Sequence, residues 1–474
     1  MGKYKRLLSD TVAFTISNFA SKVLVFLLIP LYTAVLTTEE YGISDLITNT
    51  INLMYPILTL AVMEATLRFA FDSNVKKNEV LSNSLLMVGI SVVILIAATP
   101  AVRIYSSDIY KFWIWFVIIY AGYNIHVIFA QYAKGCGHTK PFAVSGVIQT
   151  VVIISSNLIG LLALRGGLNA YLLSVALGDY IATIFLIISC KQYKDIKHFK
   201  INKKLLADML KYSIPTIPAS IAWFINVSLD KYIIIAKIGI AASGIYSVAY
   251  KIPSVINMVS SLFTSAWTLA AIDNVNEKDN SEFHTTTYNY FNIANVMLCS
   301  FLIITAKLFG RILYSNEFFE AWKCVPMLLI SYVFSGLSGF LAGAFRAAKK
   351  TSGLFVSVCA GAVINTILNF VLIDYMGIFG AALATMISFC TVWVIRLVTI
   401  RSIIKLKINI VRDAAVYILL VAEALIITFE LPYCYIISAV IICLCAALYG
   451  KLIINGAKEL YMKIMPHVNA LRHK

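Results

Sequence analysis

About fourteen apolar runs follow one another along this chain, at residues 11–36, 43–70, 81–102, 112–133, 142–164, 168–190, 209–236, 241–271, 287–310, 324–345, 353–373, 378–400, 413–429 and 432–454. A helix needs roughly 20 apolar residues to cross the hydrocarbon core of a bilayer. Each run is therefore a candidate span, and the expected fold is an all-α polytopic membrane protein. Composition agrees: 60% of the 474 residues are hydrophobic and 13% are charged. So little polar surface cannot cover a globule of this length in water. The longest interval between runs, residues 191–208, is mostly a basic loop, too short for a soluble domain.

The net charge is +16, which raises nucleic acid as a partner. The basic residues argue against it, because they sit in short segments between apolar runs and form no stripe with stacking aromatics. They set topology instead. Placing Lys3, Lys5 and Arg6 in the cytoplasm also places there Lys76 and Lys77, Lys134 and Lys140, and the cluster from Lys191 to Lys204. Arg346, Lys349, Lys350, Arg401, Lys405, Lys407, Arg412 and the tail from Lys451 to Lys474 follow on the same side. The opposite side keeps Arg103, Lys111, Arg165, Lys237, Arg311 and Lys323. Both termini are expected in the cytoplasm. The first run is long and no small-residue cleavage site ends it, so it reads as a first span rather than a removed leader. The nine cysteines include no CxxC pair; most, such as Cys299, Cys359, Cys390, Cys443 and Cys445, lie in apolar runs and read as small hydrophobes.

The chain appears twice in its own sequence. Gly42 and Gly244 match at a shift of 202, while Thr139 and Thr351, Asn157 and Asn369, and Ala170 and Ala382 match at a shift of 212. Six runs are thus repeated. Six is even, so both copies cross in the same sense and a pseudo-two-fold axis along the membrane normal is expected. The expected domains are an N-terminal six-helix lobe at 1–190, a basic linker at 191–208, a C-terminal six-helix lobe at 209–403, and two extra helices with a basic tail at 404–474.

Charges inside lipid are costly, and each is a functional candidate. Lys22, Arg68, Lys231 and Lys251 lie in the first two runs of each copy, where cations facing a cleft would bind an anionic headgroup. Glu64 stands four residues before Arg68, so an intrahelical pair is the alternative. Arg396 lies near a cytoplasmic end and is expected to snorkel. Asp179 and Glu423 suggest no role. Pro30, Pro56, Pro215, Pro218 and Pro253 interrupt the cleft-lining runs and are candidate hinges. The sequence has no GxxxxGK(S/T) phosphate loop, no HExxH and no GxSxG, and it presents no catalytic constellation. No enzyme activity, metal or cofactor is expected from it.

The stretch "SIPTIPASIAWFINVSLDKYIIIAKIGIAASGIYSVAYKIPSVINMV" resembles the middle of bacterial Wzx-type polysaccharide flippases of the multidrug/oligosaccharidyl-lipid/polysaccharide exporter superfamily. "AAKKTSGLFVSVCAGAVINTILNFVLIDYMGIFGAALATMIS" and "EATLRFAF" are similar to further segments of that family, and the resemblance covers nearly the whole chain. It implies alternating-access translocation of undecaprenyl-pyrophosphate-linked oligosaccharide units from the cytoplasmic to the outer leaflet. That step would serve O-antigen, capsule or exopolysaccharide synthesis in the bacterial plasma (inner) membrane. The expected partners are the lipid-linked sugar, the bilayer and the polysaccharide polymerase machinery, with the chain acting as a monomer. Related lipid II flippases bind sodium, and the resemblance carries that ligand pattern onto Asp230, Asn365, Asn369, Ala381 and Thr385. These are oxygen donors suited to a hard cation, Na+ or H+ as coupling ion. Asn369 departs from the pattern, which has a second carboxylate there. Competing readings are a lipid II flippase, a multidrug/cation antiporter, whose cationic drugs the basic candidates disfavour, and a membrane polysaccharide polymerase or acyltransferase.

Overall fold

The computed structural model describes residues 26–105, 107–273, 281–347, 352–401 and 406–455. Lys22, Thr351, the N-terminal basic residues, Lys349, Lys350, Lys405 and the tail past residue 455 lie outside them. Among the described residues every regular element is helical. The principal helices are α1 (Ile29–Val35), α2 (Thr38–Leu58), α3 (Val62–Ala70), α4 (Lys77–Tyr105), α5 (Ser107–Gly135), α6 (Thr139–Asn157), α7 (Gly167–Ser189) and α8 (Lys203–Ser213). They continue with α9 (Ile217–Lys237), α10 (Ile240–Ala249), α11 (Ser254–Asp273), α12 (Ser281–Leu313), α13 (Val325–Ala347), α14 (Ser352–Ile400), α15 (Ile410–Thr428) and α16 (Cys434–Leu448).

Eight stretches of described helix are long and apolar enough to span a bilayer, nine if the bent pair α2–α3 counts as one span. Three features separate this number from the fourteen apolar runs, the first being that most of the run 11–36 lies outside the described residues. Helices α10 and α16 are short, and α15 carries Arg412, Asp413 and Glu423. In addition, α14 is a single stretch of 49 residues that covers two runs. Gly377 divides it, with φ 58° and ψ −140°, a conformation that costs a residue with a Cβ dearly. The turn is tight as well: a Cβ on Gly380 would lie 2.3 Å from the carbonyl oxygen of Leu372.

Local chemistry starts the helices where the sequence allows. Thr37 and Glu40 form a reciprocal capping box on α2, with Glu40 N donating to Thr37 Oγ1 at 3.1 Å and Thr37 N donating to Glu40 Oε2 at 3.0 Å. Asn202 caps α8 through Leu205 N, and Asn409 caps α15 through Arg412 N.

The described chain forms two compact units. One contains the residues up to Phe224 and Ile240–Gly244; the other contains Ile225–Gly239 and the residues from Ile245 onward. In the first, Val62, Ala65, Ala133 and Tyr120 are fully buried where α3, α4, α5 and α7 pack. Gly244 packs there too, so close that a Cβ would fall 2.0 Å from the carbonyl oxygen of Thr38. In the second unit α13 is the most enclosed helix, with Met327, Leu328, Leu329, Ile330, Val333 and Leu337 all fully buried. Phe340 of α13 stacks on Trp267 of α11 at a centroid distance of 4.2 Å. Both units expose rows of large apolar side chains, among them Val93, Ile94 and Ile96 on α4 and Val363, Ile367 and Phe370 on α14. In water such surfaces would drive aggregation, whereas in lipid they face their solvent. The chain is a multi-pass membrane protein.

Candidate functional site

Asp230 lies on α9 inside the second unit and is 1% exposed. Its Oδ2 accepts hydrogen bonds from the hydroxyls of Tyr246 and Tyr250, each at 2.8 Å, and from Thr385 Oγ1 at 3.3 Å. Its Oδ1 accepts from the backbone N–H of Lys231 at 2.9 Å. Thr385 also donates to the carbonyl of Ala381, one turn earlier on α14, at 3.0 Å. Three of the five residues of the expected cation pattern, Asp230, Ala381 and Thr385, are thus linked by direct hydrogen bonds.

Asn365 and Asn369 are fully buried on the first half of α14. They bond to each other, Nδ2 of Asn369 donating to the carbonyl and to Oδ1 of Asn365 at 2.9 and 3.0 Å. Oδ1 of Asn369 and Nδ2 of Asn365 are buried without partners. A buried amide oxygen with no donor is an expensive group, and it is also what an incoming cation uses. One turn or more away, Asn226 braces the same helices: it donates to the carbonyl of Val358 at 2.8 Å and accepts from Ser388 at 3.0 Å.

Tyr246 and Tyr250 did not stand out in the sequence as site residues. The signal was there: they are four residues apart, beginning on α10, so both rings fall on one face. A tyrosine in an apolar run reads as packing until its hydroxyl has a partner.

The candidate cations have different surroundings. Lys231 holds its ammonium 5.6 Å from the centroid of the Tyr250 ring. Lys251 follows in the turn before α11 and is half-buried. Arg68 lies on α3 in the first unit and is exposed, as is Glu64; no ion pair joins the two. Lys22 lies outside the described residues. Arg396 departs from expectation. It does not snorkel but is 6% exposed, its Nε donating to Ser357 Oγ and its Nη1 to the carbonyl of Ser338, both at 2.9 Å. The fold of α14 back on itself carries Arg396 beside Ser357, so two of its donors are satisfied within protein. Glu423 is buried against Ser300 at 2.5 Å.

All five prolines sit at or near helix breaks. Pro30 stands in the first turn of α1. Pro56 precedes a break at Leu60 and Ala61, both with φ 52°, after which the chain turns by 65° into α3. Pro215 lies in the single 3-10 turn between α8 and α9, Pro218 starts α9, and Pro253 immediately precedes α11. The breaks of two runs meet: Ser213 Oγ donates to the carbonyl of Leu60 at 2.7 Å.

Comparisons with known proteins supply further evidence. Residues 7–269 match the model of the family described as "Polysaccharide biosynthesis protein". An uncharacterized membrane protein of Methanocaldococcus jannaschii is 27% identical over 271 residues, 54% of this chain and 62% of that protein's own length. Among solved structures, the lipid II flippase MurJ in an inward closed conformation shares the fold with a TM-score of 0.70 and 14% identity, over 96% of this chain and 100% of that one. An inward-facing multidrug resistance MATE family transporter of the MOP superfamily gives 0.62 and 15%, over 85% and 95%. A MOP superfamily transporter from Pyrococcus furiosus gives 0.58 and 13%, over 83% and 96%.

Proposed function

The chain belongs to the polysaccharide biosynthesis protein family, and from that premise we propose that it is a flippase for undecaprenyl-pyrophosphate-linked oligosaccharide units, moving them from the cytoplasmic to the outer leaflet of the plasma membrane by alternating access. The observation that carries this reading is the family match of residues 7–269 on a chain 96% of which shares the fold of the lipid II flippase MurJ. A lipid-linked sugar has a tail that stays in the bilayer and a polar head that does not. A polytopic fold with cations inside its apolar runs suits such a substrate, because the pyrophosphate needs fixed positive charge to leave water. Arg68 in the first unit, with its planar fork of donors, is the best-suited residue for that contact; Lys231 and Lys251 in the second unit and Lys22, outside the described residues, are separate candidates for the same chemistry.

The oxygen cluster around Asp230 is the second element of the proposal. Asp230, Asn365, Asn369, Ala381 and Thr385 would hold a small hard cation, Na+ or H+, whose binding supplies a positive charge that couples transport to an ion gradient. The unpartnered Oδ1 of Asn369 supports the fit. The hydroxyls already on Asp230 compete with it, so cation binding would require Tyr246 or Tyr250 to turn its O–H away.

The test is the sidedness of lipid-linked repeat units in cells lacking this chain. The expected result is accumulation in the cytoplasmic leaflet and loss of surface polysaccharide. Normal delivery to the outer leaflet, in cells without another flippase, would refute the proposal.

A further inference from the structure

The segment expected as a basic loop, residues 191–204, is stitched to the first unit along its length. Gln192 Nε2 donates to the carbonyl of Phe129 at 3.3 Å, and Asp195 Oδ2 accepts from the hydroxyl of Tyr132 at 3.0 Å, both on α5. On α4, Asn78 Nδ2 donates to the carbonyl of His198 at 2.8 Å, and Lys200 N donates to Ser82 Oγ at 3.0 Å. Asn83 exchanges two bonds with the backbone of Asn202, whose own Nδ2 donates to Glu79 Oε2 at 2.6 Å. These ties make the segment a fixed plate across the ends of α4 and α5.

The plate presents two kinds of side chain. Its six lysines are exposed, and so are Tyr193, Phe199 and Ile201, at 41%, 50% and 43%. Beside them opens a cavity of about 450 Å³ lined by Lys76, Lys77, Asn78, Asp195 and His198. Its walls are set. Lys77 Nζ donates to the carbonyls of Ala70 and Asp72, and His198 Nδ1 donates to the carbonyl of Lys194 at 2.8 Å. The carboxylate of Asp195 is occupied by Tyr132. Lys76 is exposed and keeps its charge at the rim. Across residues 72–79 and 191–208, eight lysines stand against four carboxylates, Asp72, Glu79, Asp195 and Asp208, so the complement of this surface is anionic.

Lysines between apolar runs set topology in any membrane protein. A fixed plate with a cation-lined cavity and apolar side chains beside it asks for more. A free anion would use the lysines and leave Phe199 and Ile201 in water. A lipid uses both: its phosphate meets the ammonium groups, and its acyl edge meets the apolar side chains. We propose that the plate and its cavity form a docking site for an anionic phospholipid. Lys76 holds the headgroup phosphate, Lys77 adds its charge, and Phe199 and Ile201 enter the adjoining interface. The site lies wholly in the first unit, apart from Asp230, and does not depend on the flippase reading. The plate joins α7 to α8 and is tied to α4 and α5, so a bound lipid steadies the ends of four helices together.

The test is native mass spectrometry of the full-length protein in detergent. Bound lipids are counted as phosphatidylglycerol, which is anionic, or phosphatidylcholine, which is zwitterionic, is added. The first phosphatidylglycerol should bind more tightly than the first phosphatidylcholine. Lys76→Gln should weaken it about fivefold, the loss of one lysine at an anionic headgroup, and Lys76→Arg, which keeps the charge, should retain it. Phe199→Ser combined with Ile201→Ser should weaken it as well. Lys111→Gln removes the same charge from the far end of α5 and should bind as the wild type does. All these side chains are exposed, so the variants should melt with the wild type in detergent alone. Wild-type affinity in Lys76→Gln, or an equal loss in Lys111→Gln, overturns the inference. Displacement of phosphatidylglycerol by equimolar inorganic phosphate overturns it too, since the site would then be one for free anions.

Discussion

Tyr250 joins its hydroxyl to Oδ2 of Asp230 at 2.8 Å, and the face of the same ring lies beneath the ammonium of Lys231. Two opposite charges adjacent in sequence are thus held apart, one by the edge of a ring and one by its face. Adjacent residues on a helix point about 100° apart, so Asp230 turns into the second unit while Lys231 stays half-buried.

Asp230→Ala removes the acceptor of three hydroxyls and one backbone N–H. We expect surface polysaccharide to be lost while the protein level is unchanged, as read by immunoblot beside a polysaccharide assay. Tyr250→Phe keeps the ring under Lys231 and deletes one bond, so it should cost only about 1 kcal/mol of stability and reduce transport without abolishing it. Wild-type polysaccharide in the Asp230→Ala strain defeats the site assignment.

Arg68→Ala should abolish delivery with no loss of thermal stability, because the side chain is exposed. Arg68→Lys should restore part of the activity, since an ammonium supplies the charge without the paired donors. A marked drop in melting temperature for Arg68→Ala would indicate a structural role instead.

Arg396→Met should destabilise the second unit. The buried acceptor Ser338 O and the hydroxyl of Ser357 lose a charged donor, at a cost of roughly 2 kcal/mol. Thermal unfolding in detergent reads this directly. Unchanged stability would mean that water replaces the guanidinium.

Gly377→Ala places a Cβ at φ 58° and ψ −140°, a region almost confined to glycine, and should cost about 1 to 3 kcal/mol. The check is thermal unfolding beside limited proteolysis at the turn; an unaffected protein would show that the turn relaxes to another conformation.

These features were legible to different degrees. The all-helical, membrane-spanning character was clear, because runs of about 20 apolar residues have few other destinies; the number of spans was not, since eight or nine described helices pass where fourteen runs were counted. The division of α14 was clear too, since the runs 353–373 and 378–400 leave a gap that contains Gly377. Helical geometry alone says that Asp230 and Lys231 point about 100° apart; it was the resemblance that singled out Asp230 as the residue with oxygen-donor partners. The burial of Arg396 was hidden because a helix apolar on all sides gives no hint of which face meets protein. Pro56 marked the neighbourhood of the bend, but the left-handed residues themselves, Leu60 and Ala61, could not be read from residue types, because neither favours that conformation. Asn78 and His198 are 120 positions apart, and only the ties of the linker to α4 bring them together.

The contact of Ser213 with Leu60 has a mechanical consequence. Consecutive left-handed residues without glycine persist only where their surroundings hold them, at about 1 to 3 kcal/mol each. One hydroxyl from a segment about 150 residues away in sequence helps to hold them here. The elbow between α2 and α3 is therefore a sprung joint whose catch lies beside the proline-broken turn leading into α9. Any change at one bend that carries Leu60 away from Ser213 breaks this bond, so the two bends are tied at one point, by about 1 kcal/mol.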